Sequence, residues 1–233
     1  MEIPRRNFLE KALAAGAGLA VLTEGRRVAA ADLPSDPGVA GGQAGGPDEI
    51  VLPPFEKNGA FTLDQALVNR RSSRGYDPEA KLSREQISRL LWAATGVNWP
   101  DGHRTTPSAM ARYPVDVYAA LPEGIYRFEN KDHKLVRVSA EDVRDQIPLQ
   151  LGLKKAAMKL LFVINQDKLT GIEIWMADLE IGCMVQNVYL ETAALGLGSC
   201  VFAIAHYDKI SKAMKLKNSQ KYRITQAVGP LRE

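Results

Sequence analysis

The sequence predicts an α+β fold, in which helices and strands interleave without a regular βαβ repeat. Two observations support this prediction: apolar residues recur at helical spacing in four segments, and β-branched and aromatic residues form six short strand-like runs. A doubly wound fold would instead alternate strands and helices regularly. The 233 residues are 45% hydrophobic and 24% charged, which suits one substantial folded domain.

Two short helices are predicted at the start of this domain. Thr62 is suited to cap the first helix, and Ser83 with Gln86 forms the capping box of the second, which ends before Gly96. The two helices bracket the basic segment 70–74.

A β-hairpin and a third strand are predicted next, because residues 115–121 and 124–128 alternate in polarity around a turn and 134–138 continue the pattern. An apolar run of strand length and a long, largely buried helix follow them. The remaining predicted elements are strands at 159–165, 199–204 and 222–228, the long helix at 174–194 and a short helix at 208–214.

The N-terminal residues 1–31 have the three parts of a secretory signal: a charged start, a short apolar run and a small-residue site ending at Ala31. Arg5 and Arg6, followed by Phe-Leu, resemble the twin-arginine export signal, which implies a periplasmic or exported protein. The alternative is an ordinary amphipathic N-terminal helix. Three charged residues before Ala31 leave the cleavage position open.

Composition sets the domain boundaries and excludes several classes of function. Residues 32–54 are rich in Gly, Pro, Ala and Asp, which predicts a flexible linker before a folded domain at 55–233. The net charge is +3, and no dense basic block indicates nucleic-acid binding. The apolar run near the N-terminus is too short to span a bilayer. With two cysteines and three histidines, no metal site is expected.

The basic segment contains three arginines and two serines in five residues: Arg70, Arg71, Ser72, Ser73 and Arg74. Guanidinium groups pair bidentately with phosphate, and hydroxyls add short hydrogen bonds, so this composition suits a phosphate monoester. A solvated surface patch is the alternative for a basic pentapeptide taken alone.

The order of several further stretches decides between these alternatives. Together they resemble the nitroreductase superfamily, and within it the branch of SagB-type dehydrogenases, which oxidise azoline rings in peptide biosynthesis. The resemblance covers most of residues 62–229. The stretches that carry it are 70–76, 82–98, 104–109, 113–118, 124–135, 179–190 and 193–198.

The resemblance implies an FMN-dependent oxidoreductase with a mixed or antiparallel central sheet flanked by helices. It also implies a homodimer with the flavin sites at the subunit interface. The flavin N5 would carry hydride from a reduced donor, NAD(P)H or a redox partner, to a small organic acceptor, so that no catalytic side chain is needed. A peptide azoline dehydrogenase and a flavin-binding protein without turnover remain alternatives.

Phosphate-binding residues follow from the resemblance position by position. Arg70, Ser72 and Arg74 match the Arg-x-Ser-x-Arg motif of the family, with Arg71 as a helper. Arg232 stands where the family often supplies a late phosphate contact.

The residues around the flavin ring are implied in the same way. Pro107, Ser108 and Ala109 match the loop that lies against the ring, but Met110 replaces the glycine that usually follows. Gly196 and Gly198 match the stretch near the pyrimidine side of the flavin, with a helix C-cap followed by a buried strand as the alternative. Gln186 is a candidate for the flavin edge, and its alternative role is to satisfy neighbouring backbone groups.

Overall fold

The computed structural model describes residues 48–57, 59–148, 150–154, 156–203 and 205–232. The predicted signal peptide and most of the predicted linker lie outside the described residues. Within them the predicted α+β class is confirmed, and the sheet is wholly antiparallel.

Seven strands form one sheet. They are β1 (Glu49–Val51), β2 (Val115–Leu121), β3 (Gly124–Glu129), β4 (Lys134–Ser139), β5 (Met158–Asn165), β6 (Gly198–Phe202) and β7 (Gln220–Gly229). Their order across the sheet is β1-β4-β3-β2-β5-β7-β6. The sheet therefore has β1 at one edge and β6 at the other.

Five α-helices accompany the sheet in the described part of the chain. They are α1 (Leu63–Asn69), α2 (Arg84–Thr95), α3 (Leu151–Lys154), α4 (Ile174–Ala194) and α5 (Tyr207–Ala213), and two short 3₁₀ helices lie at Ala109–Ala111 and Gln166–Lys168. The boundaries of α2 and α4 match the prediction, whereas α3 and the 3₁₀ helices carry no apolar repeat long enough to be predicted.

Local capping interactions fix the helix ends. The Gln86 amide N–H donates to Ser83 Oγ (3.1 Å) and Gln86 Oε1 accepts from the Ser83 amide (2.9 Å), which completes the predicted capping box of α2. At the end of α4 the Leu197 amide donates to the Thr192 carbonyl (2.8 Å), around Gly196 with a φ of +66°. This is a Schellman ending, which favours glycine.

Both faces of the sheet are buried, as β5 illustrates. Leu160 and Phe162 face a core shared with α2 and α4, whereas Leu161 and Val163 face a second core shared with α3 and α5. Successive residues of a strand point to opposite faces, and residues 160–164 of this central strand are accordingly all apolar. The helix α4 therefore packs on the face opposite α5.

The domain begins earlier than predicted, because β1 lies inside the range predicted as linker. Ile50 pairs with Leu135 of β4, and Glu49 Oε1 accepts a hydrogen bond from Lys134 Nζ at 3.0 Å. The following Leu52 is only 3% exposed. A strand of three residues is too short to show alternation, and its hydrogen bonds come from a distant part of the chain.

The described residues also bear on membrane crossing and on metal binding. None of their helices has both the length and the apolar character required to cross a membrane. No group of three or more His, Cys, Asp or Glu side chains is arranged there to hold a metal ion.

Candidate functional site

The basic segment leaves α1 and runs beside β6. The Arg70 amide closes α1 by donating to Ala66 O at 2.9 Å, and the Ser73 amide donates to Ser199 O at 2.8 Å. Ser72 forms a parallel bridge with Ser199. The segment is thus held in an extended form beside β6, the edge strand of the sheet, by hydrogen bonds of its backbone.

Tyr189 of α4 contacts this segment through its hydroxyl group and its ring. Its hydroxyl accepts from the Val201 amide at 2.8 Å and lies 3.0 Å from Ser72 Oγ, and the Arg70 guanidinium lies over its ring at 5.3 Å. Because a phenol has one proton, Tyr189 can donate it to Ser72, which leaves the Ser72 hydroxyl proton for a ligand. Tyr189 was not predicted from the sequence. The signal for this residue is its place on the buried face of α4.

The C-terminal residues 230–232 contact the chain just after the basic segment. The Arg232 amide donates to Gly75 O at 2.9 Å, and the Asp77 amide donates to Pro230 O at 3.0 Å. Leu231 packs against Gly198, where a Cβ would overlap the leucine side chain. Gly198 is therefore required for this close approach. These contacts bring Arg232 next to the segment that contains Arg74.

The arginines of the basic segment and of the C-terminal segment form no ion pair within the described residues: Arg70, Arg71, Arg74 and Arg232. Arg70 and Arg71 line a cavity of about 350 Å³ that Gly196 also borders. Unpaired guanidinium groups and a hydroxyl with a free proton are the donors that bind a phosphate monoester. The residues present therefore fit the phosphate of FMN.

The Pro107–Ala109 loop lies beside α4, with Ser108 near Glu180 and the residues before the loop in contact with Asn187. Asn187 Nδ2 donates to Thr105 O (3.3 Å), Thr106 Oγ1 (3.3 Å) and Ala93 O (3.1 Å), which ties the start of the loop to α2. The Tyr113 amide donates to Ser108 Oγ at 2.8 Å. Asn187 is thus a structural anchor for the loop.

The loop continues through backbone that favours glycine. Met110, Ala111 and Tyr113 have φ values of 53°, 52° and 45°, which cost free energy for residues with a Cβ. The Met110 side chain is 68% exposed. A positive φ at position 110 favours glycine, which is the residue expected there from the resemblance.

Glu180 of α4 is buried beneath the same loop. Only 3% of the residue is exposed, and its Oε1 has no hydrogen-bond partner within the described residues. Burial raises the pKa of Glu180 to about 7, against the opposing influence of Ser108, Arg104 and Lys168. A glutamate on an apolar helix is a signal that the sequence analysis missed.

A second cavity, of about 560 Å³, opens beside this loop. Arg104 lies in its wall, with the guanidinium stacked on the Tyr113 ring at 4.2 Å. Trp99, His103 and Ser108 also line it.

The two groups of predicted residues therefore contact α4 at different points. Tyr189 contacts the basic segment, and Glu180 lies beneath the Ser108 loop. The two residues are nine positions apart on α4, or about 13 Å along the helix axis. Gln186, between them, is exposed, and its side chain forms no hydrogen bond to the described residues. The cavities at the two places have different linings.

Comparison with known proteins agrees with this architecture. The model of the nitroreductase family matches residues 67–230, which includes both groups apart from Arg232. The chain belongs to the nitroreductase family. It is thus an oxidoreductase of that family.

Relatives of this nitroreductase-family chain extend the match. A nitroreductase of Methanocaldococcus jannaschii is 31% identical over 183 residues, 72% of this chain and 90% of its own. A solved nitroreductase structure from Ralstonia eutropha is 31% identical, has a TM-score of 0.76, and covers 86% of this chain and 100% of its own. A nitroreductase structure from Desulfovibrio desulfuricans, solved with FMN, shares the fold at 18% identity and a TM-score of 0.53, over 73% and 87% of the two chains.

Proposed function

We propose that this nitroreductase-family chain binds FMN and transfers hydride from a reduced donor, such as NAD(P)H or a redox partner, to a small organic acceptor. The observation that carries the proposal is that four arginines on two adjacent segments, Arg70, Arg71, Arg74 and Arg232, form no ion pair within the described residues. Bound FMN supplies the redox chemistry through hydride exchange at N5.

The residues of the chain bind and orient the cofactor. Arg70 and Arg74 would hold the phosphate, with Arg71 and Arg232 adding charge around it. Tyr189 keeps Ser72 turned toward the same place through its hydroxyl contact. The loop at Ser108 would cover the ring and exclude water from one side of it. No side-chain nucleophile is required by this reaction.

We further propose that two copies of the chain complete each site, as the resemblance to the nitroreductase superfamily implies. Exposed apolar side chains support a dimer: Val68 of α1 is 84% exposed, and Trp175 and Leu179 of α4 are 50% and 61% exposed. Leu179 and Gln186 are seven residues apart, so they share one face of α4. We place Gln186 on this interface, near the flavin of one site.

Removal of two arginines tests the proposal. The purified protein loaded with FMN is expected to be yellow, and Arg70→Ala/Arg74→Ala is expected to raise the Kd for FMN by about 100-fold or more, from two lost charge-assisted interactions. The exposed pair Lys209 and Lys212 on α5 gives a matched control, since Lys209→Ala/Lys212→Ala removes the same charge from the opposite face of the sheet. Equal FMN affinity in both double variants would refute the assignment of Arg70 and Arg74 to the phosphate.

Turnover is tested separately. Anaerobic NADH is expected to bleach the flavin, and a nitroaromatic is expected to restore it: one nitro group, one NADH and one proton give a nitroso group, NAD⁺ and water. A flavin that binds but is reduced by no nicotinamide would favour a redox partner as donor or a binding protein without turnover. Oxidation of an azoline peptide would favour the SagB-type activity.

We also propose export through the twin-arginine pathway, on the basis of Arg5, Arg6 and the apolar run that follows. The route moves folded proteins, which suits an enzyme that acquires its cofactor before export. Cell fractionation tests it: a shortened protein should appear outside the inner membrane, and Arg5→Lys/Arg6→Lys should keep the full-length form inside. An unprocessed, cytoplasmic wild type would overturn the proposal.

A further inference from the structure

We propose that the cavity beside the Ser108 loop binds acceptors that carry a carboxylate, and that Arg104 is the residue that pairs with this group. The inference rests on the proposed function, in which this loop covers the flavin ring, and it names the class of acceptor. It starts from a guanidinium group whose surroundings leave its charge uncompensated.

Arg104 is partly buried and poorly partnered. Its only side-chain hydrogen bond within the described residues is from Nη1 to Thr95 Oγ1, at 3.4 Å, and it forms no ion pair there. A guanidinium has five N–H donors, so most of them are available to a ligand. Burial lowers the pKa of Arg104, which shows that the charge has lost solvation.

Arg104 packs on the ring of Tyr113. The guanidinium carbon lies 4.2 Å from the centre of that ring. The N–H donors of a guanidinium lie along the edge of the planar group, where they form a fork. A planar carboxylate fits such a fork with two parallel hydrogen bonds.

Most of the acids near Arg104 have contacts with residues other than Arg104. Lys168 is paired with Asp116 at 2.7 Å, and His103 is next to Asp101 at 2.8 Å. The remaining acid, Glu180, is buried and attracts Arg104 without forming an ion pair with it. Because burial raises the pKa of Glu180 to about 7, it offsets Arg104 only partly at neutral pH.

The rest of the cavity suits a small aromatic acid. Its volume of about 560 Å³ lies in the range of small-molecule sites. Trp99 is 59% exposed at its rim, and an indole face there can stack on an aromatic ring. An acceptor anchored at Arg104 by its carboxylate would have its reducible group held close to the loop.

Paired nitro compounds test the inference with the FMN-loaded protein. In the wild type, kcat/KM for para-nitrobenzoate is expected to exceed that for para-nitrobenzamide by about 10-fold or more. In Arg104→Gln this ratio should fall to about one, mainly through KM, and Arg104→Lys should keep part of it. Arg112→Gln is the matched control, because Arg112 is an exposed arginine that follows the same loop.

Calorimetric titration with benzoate provides a readout without turnover. The holoprotein should bind benzoate, and Arg104→Gln should weaken the binding about 10-fold or more while Arg112→Gln leaves it unchanged. A wild-type ratio near one, a ratio that survives Arg104→Gln, or benzoate binding that does not depend on Arg104 would overturn the inference. A protein that retains no FMN, or that reduces neither nitro compound, refutes the proposed function instead, and the benzoate titration still decides the role of Arg104.

Discussion

Exchange of Glu180 for glutamine should change how stability depends on pH. Glu180 is buried, with Oε1 unpartnered within the described residues, and desolvation raises its pKa from an ordinary value of 4.5 to about 7. Each pH unit of such a difference corresponds to about 1.4 kcal/mol, so the full interval is worth about 3 kcal/mol of unfolding free energy.

The sign follows from proton binding. Between pH 4.5 and about 7 the folded protein keeps a proton on Glu180 that the unfolded chain has released. The corresponding stability is fully present below pH 4.5, falls as the pH rises, and is lost once the pH passes about 7. Glu180→Gln has no such proton, so its stability should lack this decline.

Urea unfolding of both proteins from pH 5 to 8, at equal flavin content, measures the effect. The unfolding free energy of the variant relative to the wild type should rise by about 2 to 3 kcal/mol across that range. The difference between the two proteins cancels the titration of groups that they share. Glu85→Gln on α2 is the matched control, because Glu85 is exposed. Two curves that stay parallel for Glu180→Gln would refute the reasoning.

Three further variants probe other contacts. Tyr189→Phe leaves the Val201 amide without its partner and should cost about 1 to 3 kcal/mol in denaturant unfolding, while the FMN Kd rises several-fold; an unchanged Kd would contradict the role given to Tyr189. Lys159 is fully buried, and desolvation lowers its pKa to about 7, so the unfolding free energy should rise with pH from 7 to 10.5. Lys159→Met should be roughly 4 kcal/mol more stable than the wild type at pH 6 and lose that advantage by pH 10. A stability difference that stays constant with pH would exclude the charge of Lys159 as its cause. Met110→Gly should raise the unfolding free energy by about 1 kcal/mol by relieving the left-handed backbone, and a thermal melt showing a loss would contradict this.

Local signals explain how much of the fold the sequence could predict. The capping box of Ser83 and Gln86 and the turn between β2 and β3 involve residues a few positions apart, so their patterns are visible in the chain. β1 depends instead on hydrogen bonds to β4, about 85 residues later. Its three residues have no pattern of their own.

The candidate site divides in the same way. The basic segment could be predicted because its chemistry is concentrated in five consecutive residues. The importance of Tyr189, Glu180 and Arg104 arises from burial and from missing partners, which only the packing of α4 against the loops creates. Gly196 and Gly198 were predicted for their approach to a cofactor, and the structure gives each a packing reason as well: a Schellman ending and the contact with Leu231.

The positions of β1 and β6 at opposite edges of the sheet have a practical consequence for handling the protein. Six strand spacings separate them, or about 29 Å, so β1 lies at the edge of the sheet away from the arginines. Arg232, in contrast, is hydrogen-bonded through its amide to Gly75, next to Arg74. An affinity tag placed upstream of β1 should leave flavin loading intact, whereas one fused after Arg232 would project into the place where the phosphate is expected.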